Sequence, residues 1–337
     1  MATSGSYNYT EAVTAAQVIA LALRRLGVLG IAETINSTEE ANALIVLNLL
    51  IKEWNGQGAD VWIRKTGYMF LETPGEVSSY TVGTSGDASF TSAYFMTTLA
   101  SDASASATTI TVTDDTNISN TDVILVEQAD GTFAVDVVNG APSANSVTLT
   151  TGIASDTTGA AGAYVYSWPT TNNIANKLVE LVYVSRKGQD NTGASTNTDD
   201  MPGQEIEVEI VGEEQYQSLT TKLQSGATTQ VFHRTGPVLS RLYVWPTGGA
   251  GFDKLVVHYK SHIEDLDATT NTFDLPPAGF NALAWGLAFE MASEYGVPER
   301  EMKRLFETSE IKKNTFFDYM GEDASVIFAQ DSRNDSA

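Results

Sequence analysis

Thr14–Trp62 reads TAAQVIALALRRLGVLGIAETINSTEEANALIVLNLLIKEWNGQGADVW, and its spacing predicts two helices joined by a short turn. Thr14-x-x-Gln17 forms a capping box, in which each side chain satisfies a free N–H of the first turn. Val18, Ile19, Ala22, Leu23 and Leu26 follow on one stripe, with Arg24 and Arg25 off its centre. Gly27 supplies a left-handed stop. Ser37-x-x-Glu40 reads as a second box opening a helix to Trp54, roughly 27 Å long. That helix carries Ala41, Leu44, Ile45, Leu47, Leu49, Leu50 and Ile51, and is apolar around more than half its circumference. It therefore needs cover on more than one side, and a hairpin alone cannot provide it.

The cover is sought at the other end of the chain. Phe280, Leu283, Ala284, Leu287, Ala288 and Met291 recur at helical spacing after Asp274 and two prolines, and Gly296-Val297-Pro298 ends the run. Glu299–Met320 predicts a further helix, with acids in its first turn and Lys312 and Lys313 nearer its end, as the helix dipole favours. Leu305, Phe306, Ile311, Phe316, Phe317 and Tyr319 are its expected apolar contacts.

Between these ends the period changes to two. Strands are expected at Lys65–Leu71, Ser79–Val82, Asn176–Arg186, Glu205–Val211, Thr229–Arg234, Arg241–Trp245 and Lys254–Lys260. Glu205, Glu207 and Glu209 should point out, and Ile206, Val208 and Ile210 in. Five short strands within 108–168 predict a small inserted β-barrel. The expected fold is thus α+β: an α-helical bundle formed by both termini, with a large β-rich excursion between them. The divisions are 1–64 (first half of the bundle), 65–264 (β-rich), 265–320 (helices completing the bundle) and 321–337 (a tail). That tail is polar except for Val326, Ile327 and Phe328.

Composition narrows the function. Across 337 residues, 42 acids face 19 bases, a formal charge of −23. That balance opposes a sequence-specific nucleic-acid reader, which needs cations to neutralise phosphates. There is no cysteine, which removes disulfide and thiolate chemistry. The opening residues lack the pattern of a secretory signal, and no apolar run approaches the ~20 residues of a spanning helix.

Chemical motifs are sparse. His258 and His262 are four apart, but on a strand-like run without the adjacent Glu of a zinc-hydrolase helix. Asp114-Asp115, Asp199-Asp200 and Glu264-Asp265-x-Asp267 lack the calcium-loop pattern. No nucleophile elbow, phosphate loop or dinucleotide fingerprint occurs, and nothing selects a carboxylate pair for glycosidase chemistry. Neither a cofactor nor a metal is expected. The basic doublets Arg24-Arg25, Arg64-Lys65, Arg186-Lys187, Lys303-Arg304 and Lys312-Lys313 read as helix-end complements and intersubunit ion pairs ahead of DNA contacts.

Three segments together resemble the head-to-tail adaptors of short-tailed bacteriophages, the tail accessory factor or packaged-DNA-stabilisation family. They are AAQVIALALRRLGVLGIAETINSTEEANALIVLNLLIKEW, YMFLETPGEVSSYTVGTSGDASF, and LSRLYVWPTG leading through LVVHYKSHIEDL to FDLPPAGFNALAWGLAFEMASEYGVP. They cover about half the chain in the family's order, and their residues are packing and turn types without catalytic content. The 108–168 insert departs from the family's simpler members. The resemblance implies a structural virion protein at the head–tail interface: a homo-oligomeric ring of about twelve copies bound beneath the portal protein. Such a ring extends the channel for double-stranded DNA, retains the packaged genome and docks tail or nozzle proteins. On that expectation Val326, Ile327 and Phe328 dock on the portal, and Arg24, Arg25, Lys312 and Lys313 contact a subunit or the portal. The competing expectations are a virion-associated cell-wall hydrolase and a decoration or receptor-binding protein using the insert.

Overall fold

The computed structural model describes residues 13–56, 63–71, 77–83, 89–129, 132–157, 163–174, 178–187, 205–236, 239–248, 254–261, 265–273, 275 and 278–320. The fold is mixed α and β, with five helices among the described residues and a large, nearly closed eight-stranded sheet. The chain divides into two compact units, one comprising Met1–Ile63 with His262–Ala337 and the other Arg64–Ser261.

In the helical unit, α1 spans Ala15–Leu26 and has the expected capping box, with Thr14 N–H donating to Gln17 Oε1 at 3.0 Å. Gly27 ends it at φ 76°, a left-handed conformation that costs a residue without Cβ little. The second helix, α2 (Ser37–Gly56), starts differently from the expectation. Asn36 is its cap, accepting from Thr38 N–H at 3.0 Å, because asparagine one residue earlier serves as well as serine.

Two further donors of the first turn of α1 go to a distant segment. Ala15 and Ala16 N–H donate to the carbonyls of Asn271 and Thr269 at 3.0 and 2.9 Å. Asn48 of α2 clamps Leu266, donating to its carbonyl and accepting from its N–H, both at 3.0 Å. Lys52 pairs with Asp265 at 2.9 Å. This segment leads into α4 (Ala278–Met291), which is followed by α5 (Glu299–Met320). α1, α2, α4 and α5 share one apolar core that includes Val18, Leu23, Leu47, Trp54, Leu287 and Phe316.

Burial is uneven across these helices. α4 is apolar nearly all round and is the one wrapped by its neighbours: Gly279, Ala282, Leu283, Ala284, Gly286, Leu287, Ala288 and Met291 are all buried. α2 is not covered as its sequence suggests, since Ile45 and Leu49 are 60% and 61% exposed. On α5, Leu305 and Phe316 are buried, whereas Phe306 and Ile311 face outward, contrary to expectation. The period of 3.6 admits Leu305, Ser309 and Phe316 to the core and turns Phe306 and Ile311 away from it. Tyr319 is expected on the same face, but its side chain lies outside the described set.

The strands of the second unit are β1 (Ile63–Phe70), β2 (Ser79–Val82), β3 (Phe90–Thr91), β4 (Phe95–Thr98), β5 (Thr109–Thr111), β6 (Val123–Glu127) and β7 (Phe133–Val137). They continue with β8 (Ser146–Thr148), β9 (Tyr164–Trp168), β10 (Leu178–Lys187), β11 (Glu205–Val211), β12 (Gln230–Thr235), β13 (Ser240–Trp245) and β14 (Lys254–Ser261). A five-residue helix, α3 (Glu213–Gln217), connects β11 towards β12. The large sheet runs β2-β13-β12-β11-β10-β14-β1-β3. Its edge residues Tyr80, Val82 and Phe90 join the core made by the central strands, so the sheet curls around its own apolar face.

The strands expected in the insert form a sheet β4-β9-β6-β7 and a ribbon β5-β8 around a second core. That sheet also recruits β4, whose sequence reads within a stretch rich in small polar residues. Tyr68, Phe70, Tyr94, Tyr166 and Trp168 make an aromatic cluster between the large sheet and the insert. Lys254 is buried in it, with its Nζ 5.3 Å from the Tyr94 ring and 5.0 Å from that of Tyr166.

β11 changes partner along its length. Glu205–Val208 pair antiparallel with β10, and Glu209–Val211 pair parallel with β12. The alternation breaks at that point, and Val211, not Ile210, turns inward.

Candidate functional site

The residues singled out for subunit or portal contact have distinct surroundings. Arg25 leaves α1 toward α4, where its guanidinium lies 4.4 Å over the Trp285 ring. It donates to the Asn281 carbonyl at 3.2 Å and to Asn281 Oδ1 at 2.7 Å. Burial lowers its pKa from the usual arginine value. Arg25 is therefore engaged within its own chain, as a pin between two helices. Arg24, one residue earlier, is exposed and reaches the Ile31 carbonyl at 3.5 Å. On α5, Lys313 pairs with Glu310 at 2.5 Å and Lys312 is half-buried. Val326, Ile327 and Phe328 lie outside the described residues.

Besides Leu21 of α1 and Val28 and Ile31 after it, the exposed large apolar residues described in the helical unit lie on α2 and α5. On α2, Ile45 and Leu49 stand one turn apart and outward. On α5, Phe306 packs against Phe289 of α4 with ring centroids 5.2 Å apart while remaining exposed. Phe289, Met302 and Phe306 line an open groove of about 550 Å³, rimmed by Glu299, Arg300 and Lys303. The ion pairs beside it, Arg304–Glu301 at 2.8 Å and Lys303–Glu307 at 3.9 Å, are exposed and contribute at most about 1 kcal/mol each. In the sequence, Phe306 and Ile311 look like core residues because only the phase of α5 against α4 assigns them outward.

His258 Nδ1 lies 2.9 Å from Thr66 Oγ1, and its ring packs on Tyr183 with centroids 5.7 Å apart. His262 and Glu264 lie outside the described residues. His233, on β12, is held at a pKa of about 4 by burial. Asp114 accepts from the hydroxyl and N–H of Thr116, which hold its carboxyl below the usual range, and Asp115 accepts from Asn145 N–H. These are turn-forming roles. Asp199 and Asp200 lie outside the described residues. Among the described residues, no three metal-ligating side chains converge, and no helix is long and apolar enough to cross a membrane. In comparison with known proteins, no family matches the chain and no curated sequence matches it.

Proposed function

We propose that the protein is a subunit of a phage head-to-tail adaptor ring, seated beneath the portal, through which packaged DNA passes. On this reading a bundle closed by both ends of the chain forms the ring wall, and the sheet unit meets tail components. The observation that carries it is the outward pair Ile45 and Leu49 on α2, exposed beside the core that the described helices share. Together with the apolar groove on α5, it gives one subunit a ridge and a hollow. A ridge meeting a hollow on the next copy makes a head-to-tail contact, and repeated contacts of that kind close rings. The excess of 42 acids over 19 bases supports a conduit from which DNA slides without adhering. The resemblance of both ends of the chain to the adaptor family supplies the identity of the ring.

Negative-stain microscopy of the full chain mixed with portal tests this reading. A ring beneath the portal is expected, and the double variant Ile45→Glu, Leu49→Glu should remain a folded monomer. Removal of Gly321–Ala337 should leave the ring surfaces intact but abolish portal attachment through Val326, Ile327 and Phe328. A wild-type chain that stays monomeric with portal present would refute the assignment.

A further inference from the structure

Where β11 leaves β10 for β12, the large sheet carries an open groove of about 520 Å³, floored by the core residues Val184 and Val208. Val182, Tyr183 and Ile210 line it, and all three are exposed, Ile210 to 41%. Two carboxylates, Glu207 and Glu209, share the lining. Glu209 accepts from Gln230 Nε2 at 3.1 Å, whereas Glu207 has no hydrogen-bond or ion-pair partner among the described residues. Tyr183 is braced from its own sheet, since its ring packs on His258, which is itself held by Thr66.

We propose that this groove docks an extended, lysine- or arginine-bearing segment of another protein. The aliphatic stem of such a side chain lies along Val182, Tyr183 and Ile210, and its cationic head meets Glu207. The combination suits that occupant: a long basic side chain is apolar along its stem and charged only at its tip. An arginine gains further from the Tyr183 ring face. The volume is in the range of ligand sites, which start near about 300 Å³. Phosphate-bearing ligands are repelled by the carboxylates. A second copy of this chain is a poor occupant, because its formal charge is −23. The inference stands independently of the ring, because it concerns only the sheet unit.

The test uses the full chain and a fluorescent octapeptide alternating arginine and valine, with a glutamate–valine peptide as control. Anisotropy should show binding of the first peptide and none of the second. Glu207→Lys should weaken binding at least about tenfold, as loss of a charge-assisted contact does. Tyr183→Ser and Ile210→Ser should weaken it too, including at high salt, where stem packing persists. Glu213→Lys makes the same change of net charge outside the groove and should leave binding unaltered. The proposal is overturned if wild type does not bind, if the groove variants bind like wild type, or if Glu213→Lys weakens binding as much as Glu207→Lys.

Discussion

Arg24 and Arg25 are neighbours in the chain with different surroundings. Arg24 reaches only the carbonyl of Ile31 at the edge of hydrogen bonding, whereas Arg25 stacks on Trp285 and donates twice to Asn281. Arg25→Ala should therefore cost about 1–2 kcal/mol of stability, the scale of a cation–π contact and charged hydrogen bonds once solvent screening of the half-exposed side chain is allowed for. Arg24→Ala should stay within about 0.5 kcal/mol, as surface changes do. Urea unfolding of the two variants checks the contrast; equal losses would show that Arg25 is no more engaged than its neighbour. The doublet itself was legible in the sequence, but the assignment of one member to an internal contact was not. That assignment depends on Trp285, which is remote in sequence and placed only by the packing of α1 on α4.

Among the helices, α4 carries a close constraint from α2. A Cβ placed on Gly286 would stand 2.9 Å from Leu50 Cδ2 and 3.3 Å from Trp54, so α2 and α4 approach as closely as a missing side chain allows. Gly286→Leu should overpack this contact and destabilise the helical unit by about 1–3 kcal/mol, despite the better helix propensity of leucine. Thermal unfolding of the variant measures it, and an unchanged midpoint would show that the helices separate freely. The helices were the most legible part of the chain, because capping boxes, stop signals and a 3.6-residue stripe are local. Even there, Asn36 displaced Ser37 as the cap, and the outer faces of α2 and α5 escaped prediction. The strands were legible as segments but not as a sheet. β11 shows why: its alternation Glu205–Ile210 predicts Ile210 inside, yet the exchange of β10 for β12 reverses the end of the pattern. A partner 21 residues downstream of Glu209, Gln230, leaves no mark on the local period. The groove lined by Ile210 was correspondingly invisible.

At the scale of the whole molecule, the two units should respond oppositely to acid. Burial depresses His233 to about 4, so the folded sheet unit binds its proton less readily than the unfolded chain does. The stability contributed by neutral His233 is therefore present above the ordinary histidine value and is lost as pH falls from about 6.5 to about 4. Asp122, also in that unit, is raised by burial and acts in the other direction lower in the range. In the helical unit, burial and then repulsion from Glu53 raise Glu290, so the fold binds that proton more readily and gains stability as pH falls toward the carboxylate range. Calorimetry across pH 6.5 to 4 should show the two transitions diverging. His233→Leu should reduce the fall of one, and Glu290→Gln should remove the rise of the other. Transitions that shift together in wild type and both variants would contradict the assignment.

The division of the chain also sets an order of events. The helical unit takes its first two helices from before Ile63 and its last two from after His262, so its core cannot close until the intervening segment is spanned. Closing a flexible loop of about 200 residues costs about 5 kcal/mol in chain entropy. β1 and β14, the strands that open and end that segment, are neighbours in one sheet. Once they pair, the two junctions are held no more than a strand's length apart, and most of that entropy has already been spent. Folding of the sheet unit is thus expected to precede that of the helices. Helix-packing changes such as Gly286→Leu will consequently register in the rate at which the protein unfolds, and scarcely in the rate at which it folds.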